Sequence, residues 1–324
     1  MPSKISSSSS RKRVDINKYM VYVIFAFVLL LFAIWLGGSF FSSSNLLNIT
    51  RQTAMISIMA TAMTFVIASG QIDLSVGSTV ALSSLVSALV LKTTNNIPLA
   101  LCAALLIGVL IGAINGFLIT ILNIPSFLAT LGMQGVVKGV AMWTTDTKAI
   151  AIANTTYNNL FGMGTVAGIP NVFIWTFVAM LLAHFALHYL PYGKKTLAIG
   201  GNSLSATYSG IKVNNIIVRV MTVNGFAAAF AGVMYSARMQ TANYTYGAGD
   251  ELSVIAAVVL GGTSMAGGTG NIIGAVVGSL LLGVINNGLI IGGLNVSQQM
   301  IVRGAIIILA VALSMIGNRK KSRN

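Results

Sequence analysis

Apolar runs of about 20 residues recur along nearly the whole chain, parted only by short polar breaks, and a run of that length matches what a helix needs to cross a bilayer. Hydrocarbon offers the backbone no hydrogen bonds, so a spanning segment must satisfy its own, as a helix does. Ten runs are readable, at about 19–37, 52–69, 74–91, 98–120, 125–143, 172–190, 215–238, 251–264, 271–291 and 298–316. They predict an all-α polytopic membrane protein with about ten transmembrane helices. Charged residues make up only 7% of the 324, whereas a soluble domain carries roughly 25%.

The few charges are unevenly placed. Lys and Arg number 19 against 5 Asp and Glu, a net charge of +14. A basic excess can serve nucleic acid, but here it gathers at three places. Lys4, Arg11, Lys12, Arg13 and Lys18 precede the first run. Lys194, Lys195, Lys212 and Arg219 flank the break after the sixth. Arg319, Lys320, Lys321 and Arg323 close the chain. With ten crossings all three groups share one face, which the positive-inside rule makes cytoplasmic, and no nucleic-acid partner is expected. Asp146, Asp250 and Glu251 then fall on the other face. The organisation expected is a basic, Ser-rich cytoplasmic tail at 1–18, a transmembrane domain at 19–317 with a cytoplasmic segment at 191–215, and a basic cytoplasmic tail at 318–324. The first apolar run is long enough to stay as a signal anchor.

Catalysis and metal binding find little support. Cys102 is the single cysteine, so there is no internal disulfide and no thiolate cluster. His184 and His188 share a helix face at i, i+4, but no Cys or acidic residue lies near them in sequence, and they read as interfacial rather than as ligands. The chain is expected to be no enzyme.

One break carries more chemistry than the others: Gly70-Gln71-Ile72-Asp73-Leu74-Ser75-Val76-Gly77-Ser78. A carboxylate beside membrane depth is costly and marks a pathway or a partner. Asp73 or Ser75 can also cap the helix that follows. The pattern returns as Glu251-Leu252-Ser253-Val254, and Gly112-Ala113-Ile114-Asn115 returns as Gly283-Val284-Ile285-Asn286. Both pairs lie five runs apart in the same order, as expected of two inverted five-helix halves with a pathway at their interface. The glycine-rich stretch Gly261-Gly262-Thr263-Ser264 onward to Gly270 lacks the Lys-Ser/Thr ending of a phosphate loop and reads as a flexible link. Candidate pathway residues are Gly70, Gln71, Asp73, Ser75, Asn115, Gly261, Gly262, Thr263, Ser264 and Asn286. Any ATP-driven step would need an ATPase on another chain.

Residues 198–213 form a polar stretch in which Asn202 or Ser203 can cap a short helix and Gly210 can end it. A protruding helix bearing Tyr208 suits docking into another protein's groove.

Together, four stretches resemble the permease subunit of bacterial ABC sugar importers of the ribose/arabinose/xylose type. They are residues 70–78, 198–202 with Ser209-Gly210-Ile211, 254–268, and Gln299-Met300-Ile301-Val302-Arg303-Gly304. The resemblance implies a permease in the bacterial inner membrane, working as a homodimer in contact with lipid. It implies an ATP-binding cassette ATPase subunit inside, which would hold ATP and Mg, and a soluble periplasmic or extracellular sugar-binding protein outside. No cofactor is expected in this chain. Gly200, Gly201, Asn202, Ala206, Tyr208, Gly210 and Ile211 would form the ATPase-coupling element. The cargo implied is a monosaccharide, a pentose such as ribose, with hexoses, autoinducer-type sugars and nucleosides open. A second reading also stands: an ion-coupled secondary transporter of a small polar solute that uses Asp73 as its ion site.

Overall fold

The computed structural model describes residues 16–322. The expected tails therefore lie largely outside the described residues, including Lys4, Arg11, Lys12, Arg13 and Arg323. Each apolar run is a helix. The chain runs through α1 (Ile16–Leu36), α2 (Ser43–Ala68), α3 (Val76–Thr94), α4 (Ile97–Thr120) and α5 (Ser126–Thr145). A loop region follows with β1 (Ile150–Ala151), α6 (Thr155–Asn158), β2 (Thr165–Val166) and β3 (Ile169–Pro170). Then come α7 (Asn171–His188), α8 (Pro191–Gly201), α9 (Ser203–Tyr208), α10 (Val213–Met239), β4 (Thr241–Ala242), α11 (Asp250–Leu260), α12 (Ile272–Ile291) and α13 (Val296–Ser322).

Six of these helices, α2, α3, α4, α7, α10 and α12, are long and apolar enough to cross a membrane. The eighth run differs from its expectation. α11 has 11 residues, about 16 Å of helix, roughly half the hydrocarbon thickness. Gly261 and Gly262, read as part of a span, have already left the helix.

Helix starts follow from local chemistry. The Asn96 side chain accepts from the Leu99 amide at 2.9 Å at the head of α4, with Pro98 in the first turn, where its missing N–H costs nothing. The Asn271 side chain accepts from the Gly274 amide at 3.0 Å at the head of α12. α2 and α10 lie at the centre and carry the fully buried Met55, Met59, Met63, Met221 and Met234. α3 and α4 pack on α10, with α5 on α3. In the same manner α11 and α12 pack on α2, with α13 on α11. α4 and α10 meet backbone to backbone: a Cβ on Gly108 would stand 2.2 Å from the Gly225 oxygen. That approach is what small residues permit in lipid. The outward faces of α1, α5 and α13 stay apolar and exposed, with Ile34, Trp143 and Ile308 among them.

Candidate functional site

The α2–α3 break is a closed polar knot. Gly70 turns the chain at φ +80°, and residues 71–74 are non-helical. The Gln71 amide donates back to the Val66 oxygen of α2 at 3.0 Å, and two further backbone donors are met by hydroxyls of α5. The Ile72 amide donates to Ser126 Oγ and the Leu74 amide to Thr130 Oγ1, both at 3.1 Å. Irregular backbone inside a membrane protein survives only when so satisfied. Asp73 is 1% exposed. Its Oδ1 accepts from the Ser75 amide at 2.8 Å and from Ser75 Oγ at 2.7 Å. Its Oδ2 accepts from Asn224 Nδ2 on α10 at 2.9 Å. Asn115 Nδ2 on α4 in turn donates to Ser75 Oγ at 2.8 Å. A buried carboxylate is tolerable when hydrogen-bonded in this way. Of the two capping candidates Asp73 takes the role, toward the Ser75 amide, while the Ser75 side chain makes no cap bond.

The second break follows α10. α11 begins inside the molecule, against the start of α3. A Cβ on Gly77 would stand 2.3 Å from the Gly247 oxygen, and one on Gly247 would stand 2.6 Å from the Gly77 oxygen. Of the three acidic residues expected on an outer face, Asp250 and Glu251 are therefore drawn inward, whereas Asp146 is exposed. Glu251 is 9% exposed. Its Oε1 accepts from Gln134 Nε2 on α5 at 3.0 Å, and its Oε2 from the Gly249 amide at 3.1 Å. Asp250 Oδ2 accepts from Tyr235 Oη at 2.6 Å. The starts of α3 and α11 thus converge, and the positive ends of both helix dipoles face one locus.

The candidate pathway residues form three groups rather than one. Asp73, Ser75 and Asn115 belong to the first knot, with Gly70 and Gln71 just before it. Gly261, Gly262, Thr263 and Ser264 lie at the far end of α11. There Asn271 Nδ2 donates to the Gly261 oxygen at 2.9 Å and the Asn271 amide to Thr263 Oγ1 at 3.1 Å. Asn286, on α12, accepts from Arg303 Nη2 of α13 at 3.4 Å. Asn224, Thr130 and Gln134 join these clusters without having been singled out in the sequence. Asn224 carries the same signal as Asn115, an amide inside an apolar helix. Thr130 carries none, since helical threonines commonly bond their own backbone.

The 191–215 segment holds α8 and α9. The Asn202 side chain caps α9 by accepting from the Ser205 amide at 2.8 Å, and Gly210 ends it at φ +81°. Gly200 is locked in place: a Cβ there would stand 1.8 Å from the Ala68 oxygen. The Gly268 amide donates to that same oxygen at 2.9 Å. The end of α8, the end of α2 and the glycine-rich link therefore meet at one point. A Cβ on Gly201 would meet the link only at the Gly268 Cα, at an unstrained 4.0 Å, Ala206 is buried and Ile211 packs against the core. Tyr208 and Leu204 project outward, 83% and 64% exposed.

Comparison with known proteins adds an independent line. The family described as branched-chain amino acid transport system / permease component matches residues 45–311. The chain is 40% identical over 290 residues to the ribose import permease protein RbsC of Escherichia coli (strain K12), covering 88% of this chain and 89% of that protein. It is 41% identical over 298 residues to RbsC of Bacillus subtilis (strain 168), covering 91% of each. Against the D-allose transport system permease protein AlsC of Escherichia coli (strain K12) the identity is 34% over 298 residues, covering 92% of this chain and 91% of that one. No solved structure matches.

Proposed function

Since this chain belongs to the permease family described for branched-chain amino acid transport systems, we propose that it is the membrane subunit of an ATP-driven importer. Its cargo is a monosaccharide, a pentose such as ribose, carried across the bacterial inner membrane. The observation that carries this reading is the similarity to ribose and allose permeases along about nine-tenths of the chain. The chain works as a pair of copies. An ATP-binding cassette subunit, which holds ATP and Mg, sits on the cytoplasmic side, and a soluble sugar-binding protein on the other. Both chain ends are cytoplasmic. Substrate affinity resides in the binding protein, so the permease needs only weak polar contacts.

The crossing count stays at ten in this reading, with α11 as a short segment completed by its flanking turns. The halves are α1–α5 and then α7 with α10–α13, related by inversion. The matched packing of α3, α4 and α5 in one half with α11, α12 and α13 in the other supports that relation, as do the repeated tetrapeptides. Asp73, Ser75 and Asn115 hold the pathway's broken helix start, with Gly70 and Gln71 as its hinge. Residues 261–264 border the cytoplasmic end.

Coupling begins at α9. Leu204 and Tyr208 enter a groove of the ATPase, with Asn202 and Gly210 fixing the helix that carries them. A push on α8–α9 reaches α2 and the glycine-rich link through Gly200, because the three backbones touch there. The link continues into α11, whose other end abuts α3.

The test is uptake of labelled ribose by proteoliposomes holding the complete complex. ATP-dependent uptake that needs the binding protein supports the importer. Uptake driven by an ion gradient without ATP, and abolished by Asp73→Asn, would establish the secondary transporter instead. Asp73 already has both carboxylate oxygens engaged by N–H and O–H donors, an arrangement that favours a structural carboxylate over an ion site.

A further inference from the structure

A cavity opens between α2, α11, α12 and α13. Its polar lining comprises Gln52, Thr53, Asp250, Ser253, Asn286, Gln299 and Arg303. Ser253 and Asn286 occupy the positions that Ser75 and Asn115 hold in the repeated tetrapeptides. In the first half that pair bonds to itself and is sealed. In the second, Ser253 Oγ turns to the Gly249 oxygen at 3.4 Å and Asn286 faces the cavity. Among the described residues, the Gln52 side chain, Asp250 Oδ1, Asn286 Nδ2 and Gln299 Oε1 meet no hydrogen-bond partner. Gln299 and Arg303 sit one turn apart on α13, so their side chains share a face. Both belong to a stretch that neither the Asp73 knot nor the coupling segment uses. Isoleucine and leucine side chains complete the wall.

The set combines a carboxylate, three side-chain amides, a guanidinium and an apolar floor. Amides donate and accept, the carboxylate accepts and the guanidinium donates, so neighbouring hydroxyls can each be met in both senses. An apolar pocket with a few convergent polar groups is the usual form of a small-molecule site. We propose that this cavity is a stopping point for a monosaccharide in transit, held by Gln52, Asp250, Asn286 and Arg303. The proposal rests on the importer reading and deepens it.

The test uses the complete complex in proteoliposomes, with the exposed Cys102 replaced by Ala. In that background Asn286→Cys reacts with a methanethiosulfonate reagent, and D-ribose supplied with binding protein and ATP slows the reaction. Asn286→Ala and Arg303→Gln each lower ribose uptake about 3- to 10-fold, the size of one lost hydrogen bond, and alter the ratio of ribose to allose uptake. The assembled complex still hydrolyses ATP. Thiol reactivity indifferent to ribose, or uptake and selectivity unchanged in both variants, overturns the proposal while ribose import by the unsubstituted complex stands. Absence of ATP-driven ribose uptake by the unsubstituted complex overturns the importer reading itself, and the cavity's assignment with it.

Discussion

The two helix breaks are built from similar tetrapeptides and end in opposite states. At the first, Asp73, Ser75, Asn115 and Asn224 use one another's hydrogen-bonding capacity and exclude solvent. At the second, Asp250 and Glu251 bond outward to Tyr235 and Gln134, and Ser253 and Asn286 are left beside a cavity. One difference in chemistry accounts for this. Each half meets its repeated carboxylate with a side-chain amide from another helix, Asp73 with Asn224 and Glu251 with Gln134, but only in the second does an arginine from α13 approach the asparagine. Asn115 Oδ1 and Asn224 Oδ1 are buried without a partner among the described residues, so the first network is shut off from solvent rather than complete, whereas the second borders a space that a ligand or water can enter. The first break is thus the fixed frame and the second the adaptable site.

The largest effect expected from breaking that contrast is at Asp73. Asp73→Ala leaves Asn224 Nδ2 and the Ser75 donors buried without an acceptor. The loss is about 3 to 5 kcal/mol, as when one partner of a buried charged contact is removed. Purified protein should melt well below the parent in detergent, and ribose uptake should be lost. A parent-like melting curve would show that the knot is not the frame.

Next in size is Gly200→Val. Its added atoms meet the Ala68 oxygen, a backbone atom that cannot swing aside. Uptake should fall by more than about tenfold, the equivalent of roughly 1.4 kcal/mol, whereas the same change at the roomier Gly201 should cost less. Equal losses at both positions would separate coupling from this contact. On the exposed side of the same element, Tyr208→Ala and Leu204→Ala should weaken ATPase association by about 1 to 3 kcal/mol each, the usual loss for anchors in a docking groove. Both should leave the permease's own melting point unchanged.

These residues also show what the chain discloses before it folds. Apolar runs locate all of the described α-helices except α6, α8 and α9, because each helix so located must bury or present a continuous face. Asn202 and Gly210 bound α9 by purely local chemistry, and both are readable in the sequence. The Gly70–Ser78 break is readable too, since an acid and glycines interrupt hydrocarbon there. Other features depend on contacts distant in sequence. Asn224 is 151 residues from Asp73, and nothing local pairs them. α11 ends early because Gly261 packs against α12, a tertiary reason that hydropathy does not record. Asp250 and Glu251 read as surface residues because acids usually are; their partners on α10 and α5 make an interior position tolerable. Asn286 was legible as a polar residue in an apolar helix, but its separation from Asn115's cluster was not.

The smallest effect sharpens the contrast most. Thr130 Oγ1 accepts from the Leu74 amide at 3.1 Å and itself donates to the Ser126 oxygen at 2.8 Å. Thr130→Val keeps the shape and removes the acceptor, leaving a backbone N–H buried at a cost of about 1 to 3 kcal/mol. Thr130→Ser restores the hydroxyl and should recover most of the loss. If the first break is a rigid frame, the valine variant melts a few degrees lower, and uptake falls in proportion to the folded fraction with no change in sugar preference. A changed ribose-to-allose ratio in Thr130→Val would instead mean that cargo contacts this segment. The division between a sealed frame at the first break and a selective cavity at the second would then have to be abandoned.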